Sequence, residues 1–132
     1  MYLKIIEEGG QAMKDKISVI IRSRNEDRWI GHTIQSVLDF LNKPEIIIVD
    51  NNSNDETENI LRHFTQDPLL NDEKNKQYTK IKLCKINNYT PGKALNIGVK
   101  KSTNAYVIII SAHCVLKKMK LQKHLKDLKK YV

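Results

Sequence analysis

The sequence predicts a Rossmann-like α/β domain: a mainly parallel sheet with helices packed on both faces. Three observations carry that expectation. Short, continuous apolar runs at residues 17–21, 46–49 and 105–110 suit strands buried on both sides, as in a parallel sheet. Segments with helical apolar spacing stand between them. The resulting order is β-α-β-α-β-α-β-α, and alternation of that kind argues an α/β sheet rather than an all-β core.

The elements follow in order along the chain. Residues 1–15 are expected as a loosely ordered leader, with Met13 as a second start site, and residues 16–132 as the domain. After the first strand, Asn25 is expected to cap a helix whose first turn carries Glu26 and Asp27, where negative charge suits the helix dipole. Ile30, Ile34, Val37, Leu38 and Leu41 mark its apolar face. Pro44 closes the connection, and Ile46 to Val49 form the second strand, so the unit is a right-handed β-α-β crossover. Ser53 and Glu56 have capping-box spacing, which predicts a helix from residue 53 with Ile60, Leu61 and Phe64 inward and an end before Pro68. Residues 66–79 are polar and aperiodic, a surface loop. Residues 80–86 alternate as a strand with Ile81, Leu83 and Cys84 inward. A helix over 89–101 follows, with Pro91 in its first turn, where a missing N–H costs nothing. After the strand at 105–110, residues 116–132 place Leu121, Leu125, Leu128 and Val132 on one face of a basic helix.

Composition narrows the functional classes. A chain of 132 residues with 40% hydrophobic content supports one core, and its apolar runs exclude a disordered chain. Of the net charge of +8, the last sixteen residues supply +6 through seven lysines and one aspartate, so the body of the domain is nearly neutral. That basic segment has few aromatics and nothing else in the chain forms a nucleic-acid module, so no nucleic-acid partner is expected. A solvated face is the expectation for it, with an acidic membrane surface as the alternative. Cys84 and Cys114 have no Cys-x-x-Cys partner, which predicts reduced thiols and a cytoplasmic protein. No apolar run reaches the ~18 residues of a membrane span.

Chemistry is expected where polar turns follow strands. Residues 22–25, 50–53 and 111–114 stand at the carboxyl ends of three strands, and in an open parallel sheet such ends form the ligand crevice. Asp50 there either touches a ligand or ties down its own turn. Residues 89–93, Tyr-Thr-Pro-Gly-Lys, form a helix start that either contacts a phosphate or is plain punctuation. His113 is either a metal ligand or a histidine bonded to a backbone carbonyl. A catalytic dyad with Cys114 is not expected, because neighbours on an extended segment point apart.

The four motifs in order resemble those of a family 2 glycosyltransferase: Ile-Ser-Val-Ile-Ile-Arg-Ser-Arg-Asn-Glu from residue 17, Glu-Ile-Ile-Ile-Val-Asp-Asn-Asn-Ser-Asn-Asp-Glu-Thr from 45, Asn-Tyr-Thr-Pro-Gly-Lys-Ala-Leu-Asn-Ile-Gly from 88, and Ala-Tyr-Val-Ile-Ile-Ile from 105. The resemblance implies the nucleotide-diphospho-sugar transferase fold, GT-A, and a nucleotide-sugar donor whose sugar passes to a glycan or other acceptor, as in polysaccharide biosynthesis. It implies that Arg22, Arg24 and Asn25 line the base and ribose side, that Asp50, with Asn51 and Asn52, holds the nucleoside, and that Lys93 faces the diphosphate. Where the family places an acidic metal pair, this chain has Ser111-Ala112-His113-Cys114. A divalent cofactor, manganese or magnesium, is therefore left with His113, which suits manganese better. The family's acceptor-binding part and catalytic Asp or Glu lie well past that motif, so the chain is expected to be truncated, with its catalytic base elsewhere. A partner supplying the acceptor domain, a second copy of the chain, and a peripheral place at the inner membrane face complete the expectation. The alternative is a non-catalytic nucleotide-binding or assembly module docking through its basic terminal helix.

Overall fold

The computed structural model of the chain describes residues 2–5, 17–71, 79–117 and 121–129. Its strands are β1 (Tyr2–Ile5), β2 (Ile17–Ser23), β3 (Glu45–Asp50), β4 (Ile81–Lys85) and β5 (Tyr106–Ser111). They form one sheet in the order β1-β5-β2-β3-β4. β5, β2, β3 and β4 are parallel, and β1 closes the edge antiparallel to β5. The helices are α1 (Ile30–Phe40), α2 (Thr57–Gln66), the single turn α3 (Pro68–Asn71), α4 (Pro91–Lys101) and α5 (Leu121–Lys129).

Successive strand residues point to opposite faces, which is why the apolar runs are continuous. In β3, Ile46 and Ile48 meet the α1 and α2 residues Ile34, Val37 and Leu61 on one face. Ile47 and Val49 meet Ala94 of α4 on the other. Helices thus cover both faces, as expected. Burying each such side chain contributes roughly 1.5–3 kcal/mol.

A polar network sits at the amino end of β3. Glu45 is only 4% exposed. Its carboxylate accepts from Ser18 Oγ at 2.5 Å, Lys82 Nζ at 2.6 Å and the Thr103 amide at 2.8 Å, tying β2, β4 and the end of α4 to one point. Thr90 caps α4, its hydroxyl accepting the Lys93 amide at 3.1 Å.

Several boundaries differ from the expectations. The segment read as a loose leader contributes β1, because the free edge of β5 offers unpaired backbone groups that a short strand satisfies. α1 begins at Ile30 rather than beside Asn25, and α2 at Thr57 rather than Ser53, since the side chains of Asn25 and Ser53 accept amides of each other's turn instead of capping their own helices. The single turn α3 occupies Pro68–Asn71, within the segment expected as a polar loop. Leu125 is buried as expected. Met13, most of the leader and of the polar loop, and Val132 lie outside the described residues, as do the side chains of Leu121 and Leu128.

Candidate functional site

Parallel register brings the polar turns to one edge. Arg22 of β2 stands beside Val49 of β3 and Ser111 of β5, and Ser23 stands beside Asp50. The turns that leave β2 and β3 are then laced together. Ser53 Oγ accepts the Asn25 amide at 2.9 Å, Thr57 Oγ1 accepts the Glu26 amide at 2.9 Å, and Asp55 Oδ2 accepts the Asp27 amide at 3.2 Å. In return, Asn25 Oδ1 accepts the Asn54 amide at 2.9 Å. Asn25 adopts φ 51° and Asn52 φ 47°, left-handed conformations that asparagine tolerates better than most residues.

Asp55 is central to the lacing, since its other oxygen accepts the Thr57 amide at 3.0 Å. Partial burial would push its carboxyl up, but the Thr57 hydroxyl and amide and the Asp27 amide more than offset that and hold it below its ordinary value. Asp55→Ala, which strips two backbone amides of their acceptor, is expected to cost about 1–2 kcal/mol. Urea denaturation checks this, and an unchanged midpoint would contradict it.

Beyond the lacing lies an open cleft of about 210 Å³. The first turn supplies Arg22, Ser23, Arg24 and Glu26, the second Asn51, and the loop before α4 Tyr89. Ser111, Ala112 and His113 close it. His113 Nδ1 lies 3.2 Å from Glu26 Oε1, and Arg22 Nη1 lies 3.4 Å from the Tyr89 hydroxyl. Arg22 Nε and Ser23 Oγ are buried with no hydrogen-bond partner. Two guanidinium groups against one carboxylate make the cleft favourable to an anion.

Of the residues expected at the site, Arg22, Arg24, Asn51 and His113 line the cleft together. Asn25 is used in the lacing. Asp50 is 1% exposed, and its two oxygens accept the Ser53 hydroxyl at 2.7 Å and amide at 3.0 Å, so it ties down its own turn. Asn52 donates to the Ile86 carbonyl at 3.3 Å. Lys93 donates to the Asn87 carbonyl at 2.6 Å, bracing the loop that carries Tyr89. Ser23 and Tyr89 lie within the turns expected at the crevice but were not singled out there, and Glu26 had been assigned to a helix start; the signal that marks Tyr89 is an aromatic residue in an otherwise polar loop at the carboxyl end of a strand.

The donor set does not fit a divalent cofactor held by protein alone. Among the described residues no three of His, Cys, Asp or Glu stand together, and His113 has one carboxylate partner. Magnesium and manganese ask for several oxygen ligands.

Residues 18–132 match the profile of Glycosyl transferase family 2. Among solved structures, the fold resembles S. aureus TarS 1-349 with a TM-score of 0.66 at 22% identity, covering 87% of this chain and 32% of that one. The same protein in complex with UDP-GlcNAc gives a TM-score of 0.65 at 21% identity over 87% of this chain and 31% of that one. The mannosyltransferase PcManGT from Pyrobaculum calidifontis, in complex with GDP-Man and Mn2+, gives 0.63 at 19% identity over 79% and 29%. The chain thus spans about a third of the length of these structures. No curated protein sequence matches it.

Proposed function

Because the chain belongs to glycosyl transferase family 2, we propose that it binds a nucleotide-activated sugar at the carboxyl edge of its sheet, as the donor-binding part of a sugar transferase. The observation that carries this reading is the cleft where three strand-end turns converge, lined by Arg22, Arg24, Asn51 and His113. A nucleoside diphosphate has an anionic centre, a hydroxyl-bearing ribose and a flat base with donors and acceptors. Guanidinium groups match the first, and the Asn51 amide and the Tyr89 ring match the others. The complexes of TarS with UDP-GlcNAc and of PcManGT with GDP-Man support the choice of ligand class.

The sugar would pass to a glycan or other acceptor held by a partner domain. This reading assigns the base that deprotonates the acceptor to the same partner domain; among the described residues the carboxylate lining the cleft is Glu26, which lies against His113. The exposed Lys123 and Lys126 of α5 favour a peripheral position at the cytoplasmic face of an acidic membrane. They equally suit a non-catalytic nucleotide-binding module that docks through α5. Transfer activity reconstituted by an added acceptor domain would separate these two readings.

A thermal-shift panel of UDP, GDP, CMP and dTDP sugars tests the binding. One nucleotide class is expected to raise the melting temperature by about 5–10 °C at a hundredfold excess over its Kd. No shift from any donor would overturn the reading. Donor hydrolysis by the chain alone is expected to stay at background.

A further inference from the structure

We propose that the cleft holds the diphosphate of its donor with protein cations, Arg22 foremost, rather than with a bound divalent ion. The inference rests on the nucleotide-sugar reading above. Its first ground is the poverty of metal ligands. The turn after β5, Ser111-Ala112-His113-Cys114, brings no carboxylate to the cleft, and among the described residues no three of His, Cys, Asp or Glu stand together. Glu26, the cleft's carboxylate, lies against His113 Nδ1 at 3.2 Å.

The second ground is a matching surplus of donors. Arg22 Nε is buried without a partner, and among the described residues its Nη1 reaches the Tyr89 hydroxyl, at a long 3.4 Å. Ser23 is 5% exposed, and its hydroxyl too has no partner. Buried donors without a partner are rare, and both belong to residues that line the cleft, where an incoming acceptor would account for them. A phosphate oxygen offers lone pairs and negative charge together, and the planar guanidinium fork matches its geometry. A neutral carbonyl would satisfy one donor and leave the charge of Arg22 and Arg24 unbalanced. Arg22 also lies next to Ser111 in the parallel register, so its charge sits beside the very turn where metal-binding carboxylates are missing.

Isothermal titration with UDP, GDP, CDP and dTDP, and with inorganic pyrophosphate, tests this in excess EDTA and again in excess manganese. The nucleotide that binds is expected to show dissociation constants within about twofold in the two conditions. Arg22→Ala should weaken it by about tenfold or more in both, and Arg22→Lys, which keeps charge but loses the fork, by a smaller factor. Binding seen only with manganese, and lost again in His113→Ala, would overturn the proposal and place an ion on that imidazole. Unchanged affinity in a folded Arg22→Ala would also overturn it. No binding under any condition would instead remove the nucleotide reading itself. Should Arg22→Ala fail to fold, the EDTA comparison on the native chain together with Arg22→Lys decides the matter.

Discussion

Glu45→Gln is expected to lower the unfolding free energy by about 2–3 kcal/mol. The substitution keeps the size of the side chain but removes its charge from Lys82 Nζ, 2.6 Å away, and turns an amide group toward donors at Ser18 and Thr103. Breaking a fully buried pair by deleting one partner costs about 3–5 kcal/mol. Lys82 keeps 24% of its side chain in water, so it recovers part of its hydration and the loss falls below that range. The effect should also depend on pH. Burial alone would push the Glu45 carboxyl up; the hydrogen bonds from Lys82, Ser18 and Thr103 more than offset this, so it titrates below its ordinary 4.5. The stability it supplies is then fully present above pH 4.5 and is lost as pH falls through its folded-state value. Urea midpoints of the native chain and Glu45→Gln should therefore converge in acid. A gap that stays constant as the pH drops below 4.5 would contradict the assignment.

Gly98→Ala is the second large effect, and its sign runs against helix propensity. A Cβ at Gly98 would stand 2.5 Å from Cγ2 and 2.9 Å from Cδ1 of Ile20, a residue with no exposed surface. Alanine gains about 1 kcal/mol over glycine in a helix. Forcing a methyl into a filled core typically costs 1–3 kcal/mol and occasionally more, and α4 would have to rise off the sheet. The expected net loss is about 1–2 kcal/mol, and Gly98→Val should not fold stably. Ile20→Ala alone should cost about 2–5 kcal/mol. The double substitution should be more stable than the sum of the two, because the second change removes the atoms the first one meets. Strict additivity in thermal or urea unfolding would show that α4 does not press on Ile20.

How much of this was legible beforehand depended on the range of each interaction. Ile46 to Val49 announced a doubly covered strand because four consecutive apolar residues leave no face for water, and Ile30, Ile34 and Val37 announced the helix that covers one side. The helix starts were misplaced for a tertiary reason. Asn25 and Ser53 look like caps of their own helices, yet each bonds to the other's turn, and neighbours in sequence cannot reveal that. Glu45 reads as a charge at a strand edge, and only the arrival of Lys82 and Thr103 from distant segments makes it a buried anchor. At the site, the turns that carry Arg22, Arg24, Asn51 and His113 were found through the rule that ligands gather beyond strand carboxyl ends, and the family resemblance singled out Arg22, Arg24 and Asn51 within them. Asp50 was the more conspicuous residue, but the local Ser53 claims both its oxygens. Tyr89 arrives from a loop whose path over the edge depends on Lys93 holding the Asn87 carbonyl.

The lacing of the two turns divides labour between residues. Asn25, Ser53, Asp55 and Thr57 provide the side chains that fasten the edge, and none of them lines the cleft. Arg22, Ser23, Arg24 and Asn51 line it, and no side chain among them takes part in the fastening. Ligand preference can therefore drift by exchange of the lining residues while the frame stays intact, so a redesign toward another nucleotide should begin at those four positions and leave the fasteners alone.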